Sequence, residues 1–316
     1  MALRARILGA RQRPLISFFA LALALFLLWQ VSKADLHDSP PLILPGEYLQ
    51  LLQQRGLTFD TNQYLCSRIL ADFGAVFAVG GGVVRPSAYM FKNETEVSEW
   101  QSSTPRDSAL ITYDVVLQSR ALAELKTVRE EARKMGLDIQ PASKDASRRS
   151  YAVTVDLWLS RVQPGISHWI AAGRLSKAEG ERILSLIPDS QVVEILQLEQ
   201  KGLYFSRDFQ KSILFSVAAP GTSQHLSLLA FDVNEHANPE VRAILARHGW
   251  FQTVYSDLPH FTFLGRPESE LPSLGLVLKS NVGRSFWVVN AAYLPGTRSF
   301  VGGKKAEADV TDTCPF

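Results

Sequence analysis

Leu117, Ala121, Leu125, Val128, Ala132 and Met135 recur at steps of four and three, the apolar stripe of one helix, which Gly136 ends. Weaker stripes predict short amphipathic helices over residues 47–55 and 61–73. Residues 75–84 read differently: two apolar runs about Gly80-Gly81-Gly82 predict a buried strand, a tight or bulged turn and a second strand. That triple glycine lacks the Gly-Lys-Ser/Thr ending of a phosphate loop and the spacing of a dinucleotide fingerprint. Residues 137–139 suggest a short strand, 143–150 a polar loop and 151–162 a further helix.

Residues 164–202 read as an inserted helical segment. Ser176 and Glu179 form a capping-box pattern, Pro188 closes that helix, and Asp189 is placed to cap the next. Beyond Gly202 the texture turns to strands, at 203–205, 212–217, 228–233, 250–255, 261–264 and 285–290. One helix interrupts them, started by Asn238-Pro239-Glu240 and ended at Gly249. Helices preceding a compact run of strands predict an α+β fold, with helices packed on a mainly antiparallel sheet.

The N-terminus changes this picture. Residues 15–31 are almost unbrokenly apolar and follow Arg11-Gln-Arg13-Pro. Basic flank and apolar run together predict one transmembrane helix that leaves the rest of the chain outside the cytoplasm, periplasmic or extracellular. Ser32-Lys33-Ala34 also offers small residues where a signal peptidase cuts, so the segment is either an uncleaved anchor or a signal lost after Ala34. Residues 35–45, with Pro40, Pro41 and Pro45, read as a linker. Cys66 and Cys314 are the two cysteines; in an oxidising compartment they can form one disulfide, and otherwise each is free.

Charge and composition exclude some classes. Across the 316 residues the apolar share is 46%, enough for a substantial core. Five of the 33 basic residues lie before Ala34, leaving 28 against 31 acidic ones, so the remainder has no nucleic-acid signature.

The stretch from Pro220 to Phe263 carries the chemistry. A catalytic zinc takes three protein ligands, favours histidine nitrogen and carboxylate oxygen, and keeps a fourth position for water. His225, Asp232 and His260 supply that set for one Zn2+. The step from His225 to Asp232 suits a chain that passes the metal, turns, and returns along a strand whose Leu229, Phe231 and Val233 face the core. Asp257 precedes His260 by three residues with Pro259 between, placing its carboxylate in a loop, where it can serve a metal-activated water as general base and then the leaving amine as general acid.

Ser223, His225, Ala230 and Asp232, followed by Asp257 and His260, resemble the signature S-x-H-x-x-G-x-A-x-D and later E-x-x-H. That signature belongs to the zinc D-alanyl-D-alanine carboxypeptidases of the vancomycin-resistance type and to related peptidoglycan endopeptidases. The likeness spans roughly residues 115–265, with 164–202 as an insertion, and includes Gly249-Trp250 and the loop Ser147-Arg148-Arg149-Ser150-Tyr151. It implies a peptidase acting on cell-wall peptide, with Arg149, or its neighbour Arg148, on the substrate carbonyl or developing oxyanion, and Ser223 and Trp250 at the substrate. Leu228 stands in place of the signature's glycine and Asp257 in place of its glutamate. These departures leave a second reading, a domain of the same fold that binds cell-wall peptide or a protein partner without cleaving it. The implied organisation is a basic flank and anchor (1–34), a linker with an accessory region (35–113), the peptidase-like domain (114–265), and C-terminal strands and tail (266–316).

Overall fold

The structure is a computed structural model that describes residues 42–57 and 64–293. The expected membrane segment 15–31 lies outside those residues. Among the described residues no helix is long and apolar enough to cross a membrane. Cys66 is buried and disulfide-bonded; Cys314, its expected partner, lies outside the described residues.

The fold is α+β, but several small antiparallel sheets stand where one larger sheet was expected. The helices are α1 (Gly46–Gln54), α2 (Tyr64–Phe73), α3 (Glu94–Ser103), α4 (Ser119–Lys134), α5 (Tyr151–Ala171), α6 (Lys177–Ser185), α7 (Pro188–Gln200) and α8 (Pro239–Arg247). Strands β1 (Leu42–Ile43) and β9 (Ala292–Tyr293) pair near the two ends of the described chain. Two hairpins, β2–β3 (Arg106–Leu110, Asp114–Gln118) and β7–β8 (Leu276–Asn281, Arg284–Val289), flank a three-stranded sheet. That sheet has the order β4 (Ala230–Asp232), β6 (His260–Phe263), β5 (Trp250–Phe251).

Local signals mark most helix ends. Ser176 accepts from the Glu179 amide while Glu179 reaches back to the Ser176 amide, the reciprocal cap expected there. Asn238 caps α8. Asp189 is not a cap: Pro188 opens α7 and Asp189 sits in its first turn, favourable beside the helix dipole. In α4, Ala121, Leu122, Leu125, Val128 and Ala132 are buried. Leu117 belongs to β3, and Met135 is 51% exposed beyond the helix end, where Gly136 turns the chain at φ +72°.

Apolar runs misled where the period was ambiguous. Residues 75–84 form no strand; Gly74–Ala78 is a buried 3-10 turn. Residues 137–139 and 203–205 are irregular, and Ile213–Phe215 is a 3-10 turn. Helix α5 continues through Pro164, so no boundary falls there. Proline removes the N–H that would have met the Ser160 carbonyl, and the Arg161 guanidinium takes that carbonyl instead, at 3.2 Å.

One core joins Leu44 and Tyr48 from the first segment with Leu229, Phe231 and Val233 around β4, and with Leu276 and Trp287 from the last hairpin. A second is built by α5, α6 and α7 with Leu65, Ile69 and Phe73 of α2. The functional stretch contributes to both, with Leu229, Phe231 and Val233 in the first and Val254 in the second.

Candidate metal centre

Strand register creates half of the site. In the β4–β6 pair Asp232 stands directly opposite His260, so the two side chains leave the same face as neighbours. His225 comes from the 3-10 turn Gln224–Ser227 just before β4. The loop preceding α5 runs along the free edge of β4: the Asp232 amide donates to Ala146 at 2.8 Å, and the Ala142 amide to Asp232 at 2.9 Å. That edge brings the Ser147 carbonyl to His225.

Leu228 makes the turn between His225 and the strand. Its φ of +56° and ψ of 28° are left-handed, a conformation glycine adopts without penalty and other residues at about 1–2 kcal/mol. The glycine of the resembling signature answers this backbone requirement. Leu228 meets it as leucine, with its side chain fully buried and off the cavity wall, so the departure strains the backbone and does not crowd the pocket. Buried Gln118 holds the turn: its amide N–H donates to Leu228 and its side chain to Ser227, each at 2.9 Å. Upstream, Gly221 takes φ +81° against the Phe91 carbonyl, leaving no room for a Cβ.

Three ligand atoms meet. His225 Nε2 is 3.1 Å from His260 Nδ1, and Asp232 Oδ1 is 3.2 Å from both. Tetrahedral ligands about 2.0–2.1 Å from zinc stand about 3.3 Å apart, so this triangle matches one face of such a site. The groups behind the ligands settle which nitrogens are bare. His225 Nδ1–H donates to the Ser147 carbonyl at 2.8 Å. His260 Nε2–H donates to Gln224 Oε1 at 2.9 Å, and Gln224 in turn donates through its own nitrogen to the Phe73 carbonyl. Both protons point outward, which leaves two nitrogen lone pairs and one carboxylate oxygen facing a common point.

Electrostatics agree with a ligand set ready for a cation. Burial lowers the His225 pKa and keeps the imidazole neutral, against the raising effect of the Asp232 charge. Burial works to raise the Asp232 carboxyl, but the two imidazoles beside it outweigh that and hold it well below the usual carboxylate range. Neutral histidine and ionised carboxylate are the forms that bind metal. Asp232 also spends Oδ2 on Arg149, whose Nη2 donates at 2.8 Å. The group His225, Asp232 and His260 can therefore hold a metal ion, and all three side chains are buried.

Beside the ligands opens a cavity of about 460 Å³ whose wall includes Arg149, Ser223, His225, Asp257 and His260. Of the other residues singled out from the sequence, Arg148 is exposed and off this wall. Trp250 is fully buried in the core between Phe231 and Phe263, also off the wall. Gln224 escaped the sequence reading, and Ser147 entered it only as the start of the loop that carries Arg149. Gln224 lies inside the motif, but only the fold shows that it faces His260; Ser147 acts through its main chain, which leaves no residue-type signal.

No family model matches the chain, and no curated protein does. Among solved structures, the LD-carboxypeptidase LdcB, described as revealing the molecular basis of peptidoglycan recognition, is 18% identical. That match covers 50% of this chain and 64% of that one, less than two thirds of its length, with a TM-score of 0.28.

Proposed function

We propose that the chain is a zinc-dependent peptidase that hydrolyses a D-amino-acid-containing bond of bacterial cell-wall peptide, in the manner of a D-alanyl-D-alanine carboxypeptidase. The observation that carries this reading is the meeting of three bare ligand atoms, from His225, Asp232 and His260, beside a cavity that also presents Asp257. Zinc, when bound, supplies a Lewis acid for the scissile carbonyl and acidifies a water. Asp257 takes the proton of the attacking water and returns it to the leaving amine. Arg149 holds Asp232 in place through Oδ2, and the donors it does not spend there serve the substrate carbonyl or developing oxyanion. Ser223 contacts the bound peptide from the cavity wall. The disulfide at Cys66 supports work outside the cytoplasm, with residues 15–31 as anchor or cleaved signal.

Purified full-length protein is expected to hold one zinc by elemental analysis and to release product from muropeptides, and a chelator is expected to stop that release. Asp257→Ala is expected to keep the zinc and to lose turnover by roughly 10²-fold or more. Undiminished turnover in Asp257→Ala refutes its role. Bound zinc with no product from any muropeptide identifies a binding domain instead, the reading favoured by the short arm of Asp257. Protein that takes up no zinc overturns both readings.

A further inference from the structure

The cavity beside the metal ligands carries two cations that the proposed hydrolysis does not use. Helix α5 presents Thr154, Leu157 and Arg161 to the wall at steps of three and four, one continuous face. Arg207, from the loop after α7, lines the same cavity. Neither guanidinium pairs with a carboxylate among the described residues. Asp208, the acid next to Arg207, is committed to the Ser206 hydroxyl and the Gln210 amide. Asp257 is the acid on the cavity wall, against Arg149, Arg161 and Arg207.

Arg161 is held ready. Its Nη1 bonds the Ser160 carbonyl and hydroxyl, the local anchor that Pro164 makes available. Its Nε is buried and has no partner among the described residues. Burial and then the charge of Arg207 lower its pKa, so the protein bears an electrostatic cost at this wall. A buried donor without an acceptor, next to a second cation, is a site that an incoming anion completes, and a carboxylate fits the guanidinium fork with two parallel bonds.

We infer that Arg161 and Arg207 form an anion subsite that takes a carboxylate of an acidic peptide, at a distance from the bond held at the metal centre. The identity of that peptide as substrate rests on the proposed function; the subsite itself does not. Arg161 lies two turns, about 10 Å, along α5 from Thr154. An extended peptide covers that span in about three residues. One short extended peptide therefore reaches from the Thr154 end of this wall to Arg161.

Binding separates this inference from catalysis. Two fluorescently labelled five-residue peptides containing D-residues are compared on the full-length protein in chelator, where no turnover occurs: one with free carboxylates, the other with every carboxylate amidated. The acidic peptide is expected to bind roughly tenfold more tightly, as charge-assisted hydrogen bonds allow, with an advantage that shrinks as salt rises. Arg161→Gln and Arg207→Gln are each expected to remove most of that advantage while leaving the amidated peptide unchanged; Arg207 is exposed, so its variant also guards against misfolding as the cause. Equal affinity for the two peptides, no binding of either, or variants that weaken both alike overturns the subsite. A protein that keeps the discrimination yet cleaves nothing sinks the peptidase reading alone.

Discussion

Replacing Arg149 with methionine separates the metal-free protein from the zinc-loaded one. Arg149 Nη2 and Asp232 Oδ2 are 2.8 Å apart, with side chains only 19% and 10% exposed. Removing one partner of a buried ion pair costs about 3–5 kcal/mol, and the partial exposure of Arg149 places this case near 3. In the metal-free protein nothing offsets that loss, because Asp232 is left facing two bare imidazole nitrogens. Bound zinc balances the carboxylate itself, so the loaded variant loses only the hydrogen bond and some packing, about 1.5 kcal/mol. At about 2–4 °C per kcal/mol for a domain of this size, Tm falls about 6–12 °C in chelator and about 3–6 °C in zinc. The thermodynamic cycle then requires the variant to bind zinc about tenfold more tightly than the parent, even as turnover drops. Calorimetric melts in chelator and in zinc, with a competition titration against a chromophoric chelator, measure all three edges. An equal Tm loss in both states, or weaker zinc binding, refutes the account of Arg149 as the counter-charge of an otherwise unbalanced Asp232.

Two further outcomes follow from the geometry. Leu228→Gly relieves about 1–2 kcal/mol of left-handed strain but empties a fully buried leucine site worth about 2–5 kcal/mol, so denaturant melts are expected to show net destabilisation with zinc content retained; a stabilised protein refutes the packing role. Glu199 is pushed up to about 7 by burial, against the hydrogen bonds from Ser212 and from the Ile213 and Phe205 amides. Its folded pKa thus exceeds the unfolded value, so the folded state binds the proton more tightly. Stability drains by about 3 kcal/mol as pH rises from about 4.5 to 7 and is level above. Glu199→Gln is expected to abolish that slope in melts across this range, and an unchanged slope places the titration elsewhere.

The meeting of His225, Asp232 and His260, a group that can hold a metal ion, was legible because it is written in residue type and short spacing. His225, Asp232 and His260 are few in kind and lie within one hairpin-scale stretch, so a turn and two paired strands suffice to gather them. The caps at Ser176 and Asn238 were legible for the same reason: a capping side chain reaches only two or three residues along its own chain. Apolar runs such as residues 75–79 carried no such local marker, and burial on all sides suits a 3-10 turn as well as a strand.

What the sequence determined by itself is therefore the grouping of His225, Asp232 and His260 in one stretch, the helix starts at Ser176 and Asn238, and the α+β class. Tertiary structure alone decided the rest. It turned the protons of His225 and His260 outward through Ser147 and Gln224, tied Arg149 to Asp232, took Trp250 into the core, and put Arg161 and Arg207 on the wall of one cavity. Ser147 and His225 are 78 positions apart, and Arg149 and Asp232 are 83. Pairings across such loops leave no periodic trace along a single chain, because they arise only when packed elements bring distant groups within hydrogen-bonding reach.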